Sequence, residues 1–156
     1  MQIEYNNNIG INGIAHIALN VSDIEISKVF YKKILKLLGL SLVHESKTSC
    51  YHIGARTAIL IQQVKNKKKA IKFSQNNIGL HHFCFRARSK KDIVKLKKEL
   101  INLNVRVIRG PINGPWAPGY FYILFEDPDK LRIEVNYVPG KGVLKKNIKF
   151  NPSIDY

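Results

Sequence analysis

The chain has 156 residues, 45% hydrophobic and 24% charged, with 26 Lys+Arg against 11 Asp+Glu and a formal charge of +15. That size and apolar content suit one domain with a real core and exclude wholesale disorder, and no run approaches the roughly 18 to 20 apolar residues of a membrane span. The N-terminus lacks the basic and apolar regions of a secretory signal, and two cysteines, Cys50 and Cys84, are too few for a disulfide framework, so a cytoplasmic protein is expected.

The first predicted strand lies within Gly13 to Ser22, where Ile17, Leu19 and Val21 point one way and His16, Ala18 and Asn20 the other. Ser22-x-x-Glu25 is a capping-box pattern and predicts a helix over Asp23 to Leu38. That helix has an apolar stripe of Ile26, Phe30, Ile34 and Leu37 or Leu38, and Gly39 stops it. Strands are expected at Leu40 to Glu45, Ser49 to Gly54 and Thr57 to Val64. Residues Lys65 to Ile78 read as a basic, polar linker.

Gly79 to Ser89 then repeats the opening segment: Gly-x-x-His at Gly13 to His16 returns at Gly79 to His82. Ser89-x-x-Asp92 starts a second helix, Lys90 to Leu103, with Ile93, Leu96, Leu100 and Leu103 on one side. Strands follow at Arg106 to Arg109, Tyr120 to Glu126 and Lys130 to Val138, with Asp127-Pro128-Asp129-Lys130 as a hairpin turn. The expectation is therefore an α+β domain over residues 13–138, built from two βαβββ modules at 13–64 and 79–138, with a tail at 139–156. The lysines are spread over the helices, the linker and the tail, and no aromatic residues interleave with Lys67 to Lys69. Specific nucleic-acid binding is not expected from that pattern.

Strand parity separates an apolar face from a functionalised one. In the repeated strand, Phe83, Phe85 and Ala87 oppose His82, Cys84 and Arg86; in the last strand, Leu131, Ile133, Val135 and Tyr137 oppose Arg132, Glu134 and Asn136. Two imidazoles and a carboxylate form a ligand set for a divalent transition metal. The same residues fit a second description: a surface His16, a His82 bonded to backbone, and Glu134 paired with Arg132 or Arg86.

The repeat, the two His-bearing strands and the run from Tyr120 to Val135 resemble the vicinal oxygen chelate superfamily, which includes glyoxalase I, bleomycin-resistance proteins and extradiol dioxygenases. The resemblance covers about Gly13 to Pro139. It implies paired modules whose strands curl into a cup, helices outside, and a divalent metal (Zn, Ni, Co, Mn or Fe(II)) held by residues of the first and fourth strands of each module. Carried over by position, those residues are His16, Gln62, His82 and Glu134. Gln62 stands where glyoxalase-like members usually have a carboxylate, which leaves Glu134 as the only matched carboxylate and the expected catalytic group. The activity implied is that of a lyase or isomerase acting on a small oxygen-bearing molecule, and Arg86 and Arg132 on the functionalised face suit an anionic one. A dioxygenase that uses Fe(II) and a metal-free binding or resistance protein are the alternatives. Arg86, Tyr122, Trp116 and His52 are the candidate substrate residues, the Gly110 to Gly119 loop is a candidate rim, and a homodimer is the expected assembly.

Overall fold

A computed structural model describes residues 9–11, 13–66, 72–144 and 147; the middle of the expected linker and most of the tail lie outside the described residues. The chain splits into two compact units, Met1–Lys65 and Asn66–Tyr156.

The first unit runs β1 (Ile17–Val21), α1 (Ile24–Leu37), β2 (Ser41–Glu45), β3 (Ser49–Gly54) and β4 (Thr57–Gln63). Its sheet has the order β1-β4-β3-β2. The β1/β4 pair is parallel because the chain crosses over through β2 and β3, and these pair antiparallel through short turns. Asp23, not Ser22, caps α1: its carboxylate accepts from the backbone N–H of Glu25 at 3.0 Å and of Ile26 at 3.3 Å. Gln63 secures the same corner, accepting from Ile24 N–H at 3.0 Å and donating to Val21 O and Ser22 O at 3.2 and 2.8 Å. The buried stripe of α1 is Ile24, Ser27, Lys28, Tyr31, Ile34 and Leu35, rotated from the expected one. Ile26 and Leu37 are 58% and 44% exposed. Two polar residues lie within the true stripe, so counting apolar residues at helical spacing selected a neighbouring face. Gly39 takes the left-handed φ of +83° that ends the helix, and Leu40 N–H then reaches Leu35 O at 2.8 Å.

The second unit runs β5 (His82–Arg86), α2 (Lys90–Asn102), β6 (Val107–Asn113), β7 (Phe121–Glu126) and β8 (Arg132–Tyr137), in the order β5-β8-β7-β6. Ser89 caps α2 as expected, with Asp92 N–H donating to its hydroxyl at 3.2 Å. Ile93, Leu96 and Leu100 are buried with Phe83, Ile133 and Val135, of the apolar face that parity selected, and with Ile123 and Phe125 of β7. Strand β6 runs on through Pro111, into the segment expected to be a loop rim. An edge position and two register shifts tolerate the missing N–H there. At the hairpin turn, the Asp127 carboxylate accepts from Asp129 and Leu131 N–H at 2.9 and 2.8 Å, while Lys130 adopts φ +70°. Both units are thus four-stranded mixed sheets with one helix each.

Candidate active site

In the second unit, register places three rows of side chains on the face away from α2: His82 beside Arg132, Cys84 beside Glu134 and Leu124, and Arg86 beside Asn136 and Tyr122. The middle row contains the feature that stands out chemically. Glu134 is fully buried. One of its oxygens, Oε1, accepts a short hydrogen bond from the Tyr120 hydroxyl, which accepts in turn from Asn136 Nδ2 at 2.8 Å. The other, Oε2, lies 3.4 Å from His82 Nε2, within ion-pair range, but has no hydrogen-bond partner. A buried carboxylate with an unsatisfied oxygen is costly, and such a group persists where it binds something or reacts. His82 is itself oriented from behind, its Nδ1 lying 2.8 Å from Nδ1 of His81.

Apolar side chains cover one side of the site. Trp116, Tyr122 and Leu124 form a buried cluster against which Tyr120 packs, with the Trp116 and Tyr120 ring centroids 5.0 Å apart. Burial, and then the bond to Glu134, push the Tyr120 hydroxyl far above the ordinary phenol range, so it stays protonated and donates. Burial of the sulfur and the nearby Glu134 charge likewise push the Cys84 thiol up, although part of the residue is exposed; this makes it a poor nucleophile.

The first unit offers less. His16 is exposed and stands immediately before β1. Strand register revises the alignment behind Gln62. Ala18 pairs with Leu60 as Cys84 pairs with Glu134, and Asn20 with Gln62 as Arg86 with Asn136. The residue equivalent to Glu134 is therefore Leu60, which has no donor atom, and Gln62 matches Asn136. The Gln62 amide is also engaged, donating to Asn20 Oδ1 at 2.9 Å. A shift of two residues preserves face, so strand parity does not distinguish Leu60 from Gln62.

His52 needs a second correction. It pairs with Ile59, which is fully buried, and so lies on the face covered by α1, 1% exposed and without a hydrogen bond at either ring nitrogen. Its neighbour Tyr51, paired with Leu60, occupies the open face. Burial, and then the charge of Lys32, hold the His52 imidazole below its usual range.

Of the remaining candidates, Tyr122 and Trp116 are walls of the cluster, and Arg86 is exposed at its edge. Among the described residues, Glu134 forms its charged contact with His82, not with Arg86 or Arg132. Tyr120 and Asn136, the two side chains that bond around Glu134, were missed. Parity carried the signal, since Tyr120 shares a face with Tyr122 and Asn136 shares one with Glu134. Among the described residues, no group of three or more His, Cys, Asp or Glu side chains lies together as a metal cluster. The fit to a divalent ion therefore rests on His82 and Glu134, whose unsatisfied Oε2 suits such a ligand; Gln62 and Leu60 do not contribute to it.

A family model described as the Glyoxalase/Bleomycin resistance protein/Dioxygenase superfamily matches residues 13–135. The uncharacterized protein YqjT of Bacillus subtilis is 29% identical over 123 residues, 77% of this chain and 94% of its own. Among solved structures, a candidate glyoxalase of Bacillus halodurans superposes with a TM-score of 0.73 at 22% identity, over 81% of this chain and 96% of its own. A lactoylglutathione lyase of Agrobacterium tumefaciens gives 0.63 at 22% identity, over 82% and 95%. At these identities the solved structures support the fold. Among the described residues no helix is long and apolar enough to cross a membrane.

Proposed function

The chain belongs to the glyoxalase/bleomycin resistance protein/dioxygenase superfamily, and on that footing we propose that it is a metal-dependent enzyme, a glyoxalase-like lyase or isomerase acting on a small oxygen-bearing molecule. The observation that carries this reading is the unsatisfied Oε2 of the fully buried Glu134, 3.4 Å from His82 Nε2. His82 Nε2 and Glu134 Oε2 would hold the ion, which when bound supplies a Lewis acid for the substrate oxygen where negative charge develops. His16, at the equivalent place in the first unit, is the other imidazole of the expected set. We leave Gln62 out of that set, because it pairs with Asn20 and its amide donates there.

The chain's own residues have separable tasks. Glu134 is the only carboxylate in its row, so when Oε2 is not engaged by the ion it is the group that would accept a proton there. The Tyr120 hydroxyl fixes Oε1, and with it the direction in which Oε2 points. His81 orients the His82 ring, and the buried Trp116, Tyr122 and Leu124 cluster lowers the polarity on one side of Glu134, which strengthens its charge interactions. The homodimer expected from the resemblance belongs to the same reading and is checked by light scattering on the purified chain.

The experiment is a ligand scan. His82→Ala and Glu134→Gln should each lower affinity for Zn, Ni or Fe(II) at least tenfold, while Gln62→Ala should leave it unchanged. Unchanged affinity in both His82→Ala and Glu134→Gln would overturn the reading. With metal in place, lactoylglutathione formation supports the lyase, whereas oxygen uptake on a catechol with Fe(II) would make the protein a dioxygenase instead.

A further inference from the structure

The second unit contains a cavity of about 220 Å³ whose lining differs in kind from the Glu134 row. Its buried wall is apolar, from Trp116, Ala117 and Val138, with the exposed Leu144 at the mouth, and its charged members are the cations Arg86 and Lys141, with no carboxylate in the lining. Neither cation forms an ion pair with another described residue. Tyr120 also lines the cavity, and its hydroxyl bonds to Glu134, so one side chain belongs to both the cavity wall and the carboxylate site.

Size and chemistry together limit the occupant. An apolar cavity of about 150 Å³ holds a benzene ring. A half-open space of about 220 Å³ has room for a ring with one substituent, and the Trp116 and Tyr120 rings offer it edges and faces. Two cations without an ion pair among the described residues, beside that wall, match a single anionic group, which the planar Arg86 guanidinium can take with two parallel N–H bonds.

We infer that this cavity is a substrate subsite for an aromatic, or similarly bulky apolar, molecule bearing one anionic group, with Arg86 and Lys141 on the anion and Trp116 and Tyr120 against the ring. The inference rests on the proposed enzyme reading for the direction of the substrate, whose reacting end lies toward Tyr120 and Glu134. The charged head then anchors the molecule at the end remote from the chemistry, and remote binding energy can be used to position the reacting atoms.

The test uses the full chain stripped of metal with chelator, so that its outcome does not depend on a metal. Benzoate, phenylphosphonate and the neutral isostere benzamide are titrated by NMR, following the indole resonance of Trp116, the single tryptophan of the chain. Benzoate or phenylphosphonate, or both, should bind at least tenfold tighter than benzamide, with the advantage shrinking as salt rises. The better of the two names the head group. Arg86→Gln and Lys141→Gln, both at exposed positions, should each remove most of that advantage and leave benzamide binding unchanged. His82→Ala should leave benzoate binding intact even where it abolishes metal binding, which separates failure of the subsite from failure of the enzyme reading. Equal binding of benzoate, phenylphosphonate and benzamide, or full retention of the preference in Arg86→Gln, would overturn the subsite.

Discussion

Replacing Tyr120 with Phe removes one oxygen and no ring volume, and so isolates the bond that fixes Glu134. In the native chain the hydroxyl donates to Glu134 Oε1 and accepts from Asn136 Nδ2 at 2.8 Å. Without it, the fully buried carboxylate has lost its hydrogen bond at Oε1, while Oε2 already has none. A hydrogen bond to a charged group contributes about 1.5–3 kcal/mol net, and the abandoned Asn136 amide adds to the loss. A destabilisation of about 2 kcal/mol follows, or roughly 4–8 °C in Tm for a chain of this length. Urea unfolding followed by Trp116 fluorescence reads it in the second unit itself. Tyr122→Phe is the control, since its hydroxyl is not bonded to Glu134. In a Glu134→Gln background the Tyr120→Phe penalty should fall by about 1 kcal/mol, because the charge that strengthened the bond has gone. Stability within about 0.5 kcal/mol of the native protein, or an equal penalty in both backgrounds, refutes the assigned role of Tyr120.

Three further outcomes follow from the same geometry. Glu134→Gln should leave the metal-free protein as stable as the native chain or more so, by up to about 2 kcal/mol, while abolishing stabilisation by added metal; a strongly destabilised variant would mark Glu134 as structural. His52 has its pKa depressed by burial, so the unfolded chain binds its proton more readily; stability is fully present above the unfolded pKa of about 6.5 and is lost as pH falls through the lower folded value. His52→Leu should flatten that loss in the hydrogen exchange of β3 and β4, and an unchanged pH profile would contradict it. Lys130→Gly should stabilise the hairpin by about 1 kcal/mol, measured by urea denaturation, because φ +70° is unfavourable for a side-chain-bearing residue.

The architecture was readable because the repeat is explicit and each copy carries strand, cap and helix signals in order. Face assignments in the second unit followed from parity, and Glu134 lies on the face it predicted. The errors have physical causes. The buried stripe of α1 includes Ser27 and Lys28, so hydrophobicity marked Ile26 instead. Pro111 suggested a loop, yet an edge strand accommodates it. Gln62 was matched to Glu134 through similar flanking residues, whereas pairing of Ala18 with Leu60 and of Cys84 with Glu134 sets the real correspondence two residues away. Which of Tyr51 and His52 faced the open side depended on the β3/β4 register, which single-strand alternation does not determine. Tyr120 was passed over for Tyr122 because both have the right parity; distance along the strand, not face, decides which hydroxyl meets Glu134.

In the proposed function, the unsatisfied Glu134 oxygen and the His82 imidazole hold a divalent ion. Elemental analysis of the native protein purified without chelator, alongside Glu134→Gln prepared identically, measures whether they do. Close to one equivalent of Zn, Ni, Co, Mn or Fe per native chain and a small residual fraction in the variant are expected. No stoichiometric metal in the native protein, together with no gain in Tm on adding any of these ions, contradicts the proposal.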